Sequence, residues 1–327
     1  MKAFVTGGTG FIGSHLVEAL QAAGHEPVCL VRNPAKAAAL FGNAPPNIIP
    51  GDLRDPAALE RGCRGCDVVF HVAGMTAGKT RDELFQVNRD LTKALVAAAT
   101  AAGTVTRFVY VSSLAGSGPS QRGRPRTEAD APTPVSQYGA SKLAGETVVG
   151  DAELPSTIVR PPTVYGPRDT EIFRMLKIVR WHLAPLVVPA DQELSFVYVA
   201  DLARALVAAG TGAETTGVYF AAHPEIVTAR SFVCAVHEAL HGTGSAGPVI
   251  IPLPQWLTRA AMGVTYLGAR LVGRRTLLSP DKAKEFRQVA WTCASDALPR
   301  DTGWHADVGL ELGLRQTVEW YREAGWL

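Results

Sequence analysis

Apolar and polar positions divide the first half of the chain into short apolar segments that alternate with longer segments rich in Ala and Leu. The short segments are rich in β-branched residues and apolar at successive positions, which is typical of strands buried on both faces of a sheet. Strands are predicted at residues 3–6, 27–31, 47–50, 68–71, 107–112 and 156–159, and helices at residues 11–23, 34–40, 56–61, 82–102 and 137–149. This α/β alternation predicts a Rossmann-type doubly wound parallel sheet, with its ligand crevice at the carboxyl ends of the strands.

The alternation becomes irregular after Pro161, where a helix is predicted near residues 171–181 and a strand followed by a helix at residues 195–209. We therefore predict a dinucleotide-binding Rossmann domain over residues 1–165, to which residues 195–225 return. Residues 166–327 are predicted to form a smaller, mainly helical substrate-binding lobe.

Two segments of unusual composition need separate interpretations. Residues 116–134 are rich in Gly, Pro and Arg, which predicts a long mobile loop beside the site and a lid over the substrate. Residues 256–273 are apolar but are interrupted by Arg259 and Arg270, so they predict a buried amphipathic helix of the smaller lobe and not a membrane-spanning helix.

Composition and charge limit the classes of function. A chain of 327 residues with 47% apolar residues can bury a large core, and its formal charge of only +2 is scattered, so no nucleic-acid partner is expected. The chain opens on a strand-like segment and has five cysteines, which favours a reduced, cytoplasmic protein. The pair Cys63 and Cys66 has the spacing of a metal or redox site, but no second Cys/His pair lies near it, and no metal is predicted.

A glycine-rich segment, TGGTGFIGSH at residues 6–15, directly follows the first predicted strand and opens the first predicted helix. The first glycine of such a loop permits the tight turn, the second lets the backbone approach a pyrophosphate, and the third allows close packing of helix and strand. Free amide groups and the helix dipole favour phosphate there. We therefore predict that Gly7, Gly10, Phe11, Ile12 and Gly13 bind a dinucleotide.

The end of the second predicted strand is expected to select the cofactor. Arg32 and Lys36 follow that strand where an NAD-specific site would carry Asp or Glu, and a guanidinium matches a 2′-phosphate. NADP(H) is therefore favoured and NAD(H) is the alternative. Asp52, after the third predicted strand, could accept from the adenine amine, with Leu53 beside it, or could serve a turn.

Tyr138 and Lys142, in the segment YGASK, lie four residues apart at the start of a predicted helix and share one face of it. A nearby ammonium stabilises a phenolate, so we predict that Lys142 lowers the pKa of Tyr138 and also holds the nicotinamide ribose. Ser113 follows the predicted strand that ends in VYVSS and lies at the same edge of the sheet.

The glycine loop, the YxxxK pair and the upstream serine together resemble the extended short-chain dehydrogenase/reductase family. The resemblance covers nearly the whole chain and extends to HVAG at residues 71–74, RPPTVYGP at residues 160–167 and VADLARAL at residues 199–206. The segment VRNP makes the chain most similar to the branch of dihydroflavonol reductases and 3-beta-hydroxysteroid dehydrogenases.

This resemblance implies roles for particular residues. Tyr138 would be the acid/base, Lys142 its electrostatic partner, and Ser113 the hydroxyl that holds the substrate oxygen, because the family's serine lies five residues before a glycine, here Gly118. Asn88 would order the backbone and water near the lysine, or would be a plain polar residue of a helix. The remaining expected contacts are Ala73, Pro161 and Val164 for the cofactor and Met75, Thr76, Leu114, Thr163 and Tyr165 for the substrate. His71 is expected to be packed and not catalytic.

The predicted function is that of an NADP(H)-dependent oxidoreductase that interconverts a carbonyl and an alcohol by hydride transfer. The predicted pocket includes residues 172–181 and is mostly apolar, which favours a small apolar or aromatic substrate. A nucleotide-sugar epimerase is the alternative, but Thr163 stands where many sugar-nucleotide enzymes have Asn. Sugar dehydratases carry an acidic pair where Leu114 and Ala115 stand. A non-catalytic NADP(H)-binding sensor is a second alternative, and a homodimer is a further expectation.

Overall fold

The computed structural model describes residues 1–42, 44–212, 215–271, 276 and 279–327. Its strands are β1 (Lys2–Thr6), β2 (Glu26–Val31), β3 (Asn47–Pro50), β4 (Val68–His71), β5 (Arg107–Val111), β6 (Ser156–Arg160), β7 (Thr163–Tyr165), β8 (Leu183–Leu186), β9 (Glu193–Tyr198), β10 (Gly217–Phe220), β11 (Ile226–Thr228), β12 (Val249–Pro252) and β13 (Ala290–Trp291). All six strands predicted from the sequence are present.

In the first half of the chain the helices alternate with the strands. They are α1 (Phe11–Ala22), α2 (Pro34–Phe41), α3 (Pro56–Cys63), α4 (Arg81–Phe85), α5 (Leu91–Ala101), α6 (Leu114–Ser117), α7 (Gln137–Gly150), α8 (Thr170–Val179), α9 (Val199–Thr211), α10 (Ala229–His241), α11 (Gln255–Leu271), α12 (Lys282–Phe286), α13 (Ala297–Thr302) and α14 (Leu310–Glu323). One π-helical turn, Gln86–Asp90, joins α4 to α5, so the single helix predicted at residues 82–102 is three consecutive pieces.

Seven parallel strands form the main sheet in the order β3-β2-β1-β4-β5-β6-β10, which confirms the predicted Rossmann-type sheet. Helices α1 and α9 pack on one face, and α3, α5 and α7 pack on the other. The strand order reverses between β1 and β4, whose last residues Thr6 and His71 lie side by side. A ligand crevice is expected at this reversal.

The second half of the chain also forms a smaller layer of strands and helices. Strand β9 pairs with β7, β11 and β13, and β8 pairs with β12. The core of this layer packs α8, α10 and α14 against β9 around Tyr165, Phe196 and Tyr321. Strand β10 returns to the main sheet, whereas the domain boundary near residue 165 stays a prediction.

The segment of residues 116–134, which its composition predicts to be a mobile loop, forms hydrogen bonds with distant parts of the chain. The Ser120 hydroxyl lies 2.8 Å from the Thr292 hydroxyl, the Arg126 amide donates to the Thr292 carbonyl at 2.9 Å, and the Gly123 amide donates to Glu193 at 2.8 Å. These bonds attach the segment to β9 and to the chain around β13. The segment is thus bonded to the smaller layer in this structure, and its movement as a lid stays a prediction.

Helix α11 matches the amphipathic helix predicted at residues 256–273, of which residues 272 and 273 lie outside the described part of the chain. Thr258 and Met262, one turn apart, are buried, whereas Trp256 and Val264 are 71% and 73% exposed. Burial is thus restricted to one face, and the other face exposes apolar side chains. Among the described residues, no helix is both long and apolar enough to cross a membrane.

Candidate active site

The glycine loop lies between β1 and α1 at the carboxyl edge of the main sheet. Gly7 has φ +76°, and a Cβ atom placed there would lie 2.7 Å from the Ala73 amide nitrogen. A Cβ atom at Gly13 would lie 2.1 Å from the Gly7 carbonyl oxygen. Only glycine therefore fits either position, and the loop brings β1, α1 and the end of β4 into close contact.

The amino terminus of α1 has the features of a phosphate site. No side chain caps this end of the helix, where Gly10 is the N-cap residue, and Phe11 and Ile12 are only partly buried. The first amide groups of a helix have no intrahelical partner, and the helix dipole is positive there. The residues present thus fit the pyrophosphate of a dinucleotide cofactor.

The residues predicted to bind the adenosine half lie at the ends of β2 and β3. Arg32 is exposed immediately after β2, and Lys36 is exposed on α2, which Asn33 caps. Asp52 accepts a hydrogen bond from the Arg54 amide at 2.6 Å, so its carboxylate serves a turn. Leu53 packs partly buried against the neighbouring core.

Tyr138 and Ser113 are brought together by α7 and by the end of β5. The Ser113 hydroxyl lies close enough to the phenol to lower its pKa. Burial raises the pKa of Tyr138 to about 12; the nearby Ser113 hydroxyl opposes this rise, and the negative charge of Glu285 adds to it. The predicted lowering of the Tyr138 pKa is therefore wrong for this structure, and the phenol is protonated at neutral pH.

Lys142 lies one turn after Tyr138 on α7, but its ammonium group contacts other groups. Its Nζ atom donates to the Val111 carbonyl at 2.7 Å and lies 4.1 Å from the centroid of the Tyr110 ring. Burial lowers the pKa of Lys142 to about 7, and the charge of Glu146 acts against this. These contacts hold the ammonium at the carboxyl end of β5, which explains why it does not lower the Tyr138 pKa.

Asn88 lies in the π-helical turn between α4 and α5 and is buried. Its Oδ1 atom accepts from the Met75 amide at 2.8 Å, and its Nδ2 atom donates to the Met75 carbonyl and the Ser141 hydroxyl, both at 2.9 Å. The side chain therefore fixes the backbone after β4 against α7. A π-helical turn is frequently found at a functional site, because it redirects one side chain of a helix.

A buried ion pair supports α7 from below the site. Glu146 and Arg160 are 5% and 4% exposed, and Arg160 Nε donates to Glu146 Oε1 at 2.9 Å. Ser112 also donates to this carboxylate, whereas its neighbour Ser113 contacts Tyr138. The two consecutive serines thus have different partners, one structural and one in the site.

His71, at the end of β4, is fully buried, as expected of a packed residue. Its two ring nitrogens lie 2.7 Å from the Thr6 hydroxyl and 2.9 Å from the Thr92 hydroxyl. Burial, together with the charge of Lys142, lowers the pKa of His71 to about 3. The ring is therefore neutral and joins β1, β4 and α5.

A cavity of about 340 Å³ opens beside Tyr138. One wall is formed by residues 76–81, Leu84 and Gln137, and the opposite wall by Tyr266, by residues 279–282 and by Glu285. Five charged residues line it: Lys79, Arg81, Asp281, Lys282 and Glu285. The prediction of few charges is therefore wrong, although the exposed lining of the cavity is more apolar than polar.

The predicted substrate contacts are divided between the cavity and the protein core. Thr76 lines the cavity, and Met75 precedes it on the backbone that Asn88 holds. Tyr165, by contrast, is fully buried in the core of the smaller layer, and its hydroxyl donates to the Gly309 carbonyl at 3.2 Å. Leu114 is also buried, against Phe220. Neither side chain is placed to touch a substrate.

The remaining predicted residues lie near the carboxyl ends of β6 and β7. Pro161 is buried and accepts a hydrogen bond from the Leu114 amide at 2.9 Å, Thr163 is exposed, and Val164 packs partly buried against the main core. Helix α8, which was expected in the pocket, instead packs in the core of the smaller layer.

Sequence reasoning missed the wall that contains Tyr266, Lys282 and Glu285. The Tyr266 hydroxyl donates to the Lys79 carbonyl at 3.4 Å, and Lys282 forms an ion pair with Glu285. Their spacing of three residues on α12 was a signal for that ion pair. It gave no sign that the pair faces a cavity, because an exposed helix has the same pattern.

Three histidines lie close together in the smaller layer, although the sequence predicts no metal site. The ligand atoms of His182, His237 and His241 lie within 4.8 Å of one another. His182 Nδ1 and His237 Nε2 are only 2.8 Å apart, which is a hydrogen bond between two rings and uses a nitrogen that a metal would need. The absence of a metal stays a prediction.

Comparison with known proteins agrees with this geometry. Residues 3–220 match the model of the NAD dependent epimerase/dehydratase family. The chain is 33% identical to the ceramide reductase of Caulobacter vibrioides over 99% of this chain and 95% of that protein. It is 28% identical to the 4-hydroxy-2-methyl-3-oxo-4-farnesyl-3,4-dihydroquinoline-1-oxide ketoreductase of Stigmatella aurantiaca, over 87% and 90% of the two chains.

Solved structures show the same fold. The UDP-glucose 4-epimerase of Thermus thermophilus, in complex with NAD, is 26% identical and superposes with a TM-score of 0.79 over 99% of this chain and 100% of that chain. The chain therefore belongs to the NAD-dependent epimerase/dehydratase family, within the extended short-chain dehydrogenases/reductases, and is an NAD(P)-dependent oxidoreductase.

Proposed function

We propose that the protein is an NADP(H)-dependent reductase of a carbonyl compound, with Tyr138 as the proton donor. The observation that carries this proposal is the phenol of Tyr138, which lines the cavity near Ser113 and has a raised pKa. A reductase needs a protonated acid beside the carbonyl oxygen, because that oxygen gains a proton when the carbon gains a hydride.

The chain's own residues have distinct tasks in this reaction. Ser113 holds and polarises the substrate oxygen, and Tyr138 gives its proton to that oxygen. Lys142, one turn further along α7, holds the nicotinamide ribose. The bound nicotinamide supplies the hydride, and the C=O bond becomes a C–O–H group and a C–H bond.

The preference for NADP(H) rests on the end of β2. Arg32 is exposed there, with Lys36 close in sequence and also exposed, so both side chains are free to meet the adenosine ribose. A guanidinium forms bidentate, charge-assisted hydrogen bonds with a 2′-phosphate. The relative solved with NAD shows that the family also accepts the cofactor without this phosphate.

The substrate that we propose is a small carbonyl compound with an apolar part and a polar group. Two relatives are named as reductases, one of ceramide and one of a farnesylated quinoline oxide, which supports reduction of a carbonyl on a largely apolar molecule. The charged residues of the cavity wall favour a substrate that also carries a polar group.

A nucleotide-sugar epimerase is the second candidate, because a UDP-glucose 4-epimerase shares the fold over the whole chain. Thr163 is exposed at the start of β7, where many sugar-nucleotide enzymes have Asn. A non-catalytic NADP(H)-binding sensor is the third candidate, and the intact group of Ser113, Tyr138 and Lys142 argues against it. Oxidation of NADPH by a panel of ketones separates the three, since only a reductase consumes it steadily.

Replacing Tyr138 by Phe tests the proposed proton donor. The variant keeps the ring but loses the hydroxyl, so kcat/KM on any ketone that the wild type reduces should fall by roughly 10² or more. NADPH affinity and the melting temperature should change little. Tyr219→Phe is a matched control, because its hydroxyl donates to Asp301 at 2.9 Å, away from the cavity, and its kcat/KM should be unchanged. Near-wild-type activity of Tyr138→Phe would refute this mechanism.

Replacing Arg32 by Asp tests the choice of cofactor. The wild type should bind NADPH at least tenfold more tightly than NADH, which is about 1.4 kcal/mol, and Arg32→Asp should move the preference toward NADH. Fluorescence titration of both reduced cofactors measures it. Arg64→Asp, an equal charge change at an exposed residue of the same half, should leave the ratio unaltered. Equal affinities in the wild type would contradict the assignment.

A further inference from the structure

Glu285 is a buried acidic residue in the wall of the cavity opposite the segment that follows β4. It lies on α12, and its side chain is 8% exposed. The same cavity is lined by Tyr138. Glu285 has no part in the reaction described above, so the reason for burying a carboxylate there must lie elsewhere.

The two oxygens of this carboxylate differ in their partners. One, Oε2, forms an ion pair with Lys282. The other, Oε1, is buried and has no hydrogen-bond partner among the described residues. A buried acceptor without a donor is costly and rare in native proteins, and in a ligand cavity it is explained by a donor that the ligand brings.

The position of Glu285 relative to Tyr138 defines where that donor would lie. Lys282 Nζ is 5.7 Å from the centroid of the Tyr138 ring and contacts the carboxylate of Glu285. The charge of Glu285 also acts on the phenol. Glu285 and Tyr138 therefore line one cavity and have Lys282 as a common neighbour, so a substrate in that cavity can contact both.

We propose that Glu285 Oε1 accepts a hydrogen bond from an N–H or O–H group of the substrate, placed a few bonds from the carbonyl that is reduced. The inference rests on the proposed reductase function and narrows its substrate class to carbonyl compounds such as acylamino ketones or hydroxy ketones. A charged acceptor in a buried site binds such a donor strongly and excludes an analogue that lacks it.

A second acidic residue of the same wall provides the contrast. Asp281 also lines the cavity, but its Oδ2 atom accepts from the Gln137 amide at 2.7 Å and its Oδ1 atom pairs with Lys284 at 3.1 Å. Both of its oxygens have partners within the protein. Asp281 is therefore the matched control for Glu285, because each of its oxygens already has a donor within the protein.

The test uses two ketones that differ only in whether the amide nitrogen carries a hydrogen or a methyl group. A 2-acylamino ketone offers an N–H donor beside its carbonyl, whereas its N-methyl analogue offers none. With NADPH, the wild type should show a kcat/KM at least tenfold higher for the N–H ketone, mainly through KM. Glu285→Leu should abolish this preference, Glu285→Gln should reduce it, and Asp281→Asn should keep it.

Each outcome has one interpretation. If the wild type reduces both ketones equally well, or if Glu285→Leu keeps the preference or lowers both kcat/KM values by one factor, the inference is overturned while the reductase function stands. If the wild type oxidises NADPH with no carbonyl compound at all, the proposed function itself fails. Thermal melts of the variants show whether a loss for both ketones comes from a folding defect, in which case Glu285→Gln, which keeps the volume, decides.

Discussion

Two buried glutamates near α7 show how the two sides of the site differ. Glu146 belongs to the Rossmann side, where Arg160 and Ser112 together donate to both of its oxygens. Glu285 belongs to the opposite wall, where one oxygen pairs with Lys282 and the other has no partner among the described residues. The first carboxylate is saturated by the protein, and the second has capacity left for a ligand.

The same difference extends to the neighbouring polar groups. On the Rossmann side, His71 and Asn88 have their ring nitrogens and amide atoms bonded to neighbouring residues. These bonds connect β1, β4, α5 and α7 into one rigid frame beneath Tyr138. A fully bonded polar network stabilises and orients a site, whereas an unbonded buried group is available for recognition. Residues whose polar atoms are all hydrogen-bonded within the protein therefore build the frame of this site. A buried residue with an unbonded polar atom is available to bind the substrate.

Removing the charge of Glu146 should have the largest effect on stability. Glu146→Gln leaves the guanidinium of Arg160 buried without a counter-charge, which should lower the free energy of unfolding by about 3–5 kcal/mol. Urea unfolding followed by circular dichroism measures this change. Glu285→Gln, the same chemical change on the other side, should alter stability by less than about 1 kcal/mol, since Lys282 is partly exposed to water. Equal losses in the two variants would break the distinction between the two sides.

His71 offers a test of the Rossmann side by pH. Its pKa is about 3 in the folded chain and near 6.5 when unfolded, so the unfolded state binds the extra proton between these values. Stability from the neutral ring is complete above pH 6.5 and is lost as the pH falls toward 3, by about 1.4 kcal/mol per pH unit. In His71→Gln, which keeps a donor and an acceptor for Thr6 and Thr92, this dependence should be absent.

The measurement for His71 is a set of urea unfolding curves between pH 7 and pH 4.5. The stability difference between the wild type and His71→Gln should shrink as the pH falls, because only the wild type carries the group that titrates. Other titrating groups are common to both proteins and cancel. A difference that is constant over this range would show that the ring is not held neutral.

Much of the Rossmann side could be predicted from the sequence because its signals are local. Consecutive apolar residues identified β1, β2, β4, β5 and β6, and the glycine spacing identified the turn at Gly7 and the close packing at Gly13. The spacing of Tyr138 and Lys142 placed both on α7. The fold itself is confirmed by the strand order and by solved relatives.

The opposite wall could not be predicted, because its chemistry depends on contacts between distant parts of the chain. The segment DKAKE, residues 281–285 at the start of α12, has the composition of a solvated helix, and only tertiary packing buries Glu285. Tyr165 belongs to a family motif, but its position at the end of β7 places its side chain in the core. The segment of residues 116–134 has a loop's composition, yet hydrogen bonds to residues around β13 fix it. The π-helical turn at Asn88 likewise requires Met75 and Ser141 as partners.

The hydroxyl of Tyr266 should show the smallest effect. It donates to the Lys79 carbonyl at 3.4 Å and is the contact by which α11 reaches the Rossmann side of the cavity. Because this bond is long and its acceptor is exposed to water, Tyr266→Phe should lower the free energy of unfolding by less than about 1 kcal/mol. Tyr219→Phe removes a bond to the charged acceptor Asp301 at 2.9 Å and should cost more, about 1.5–3 kcal/mol. Urea unfolding of the two variants measures both losses. A larger loss for Tyr266→Phe would contradict this order and show that the bond to Lys79 contributes more than its length indicates.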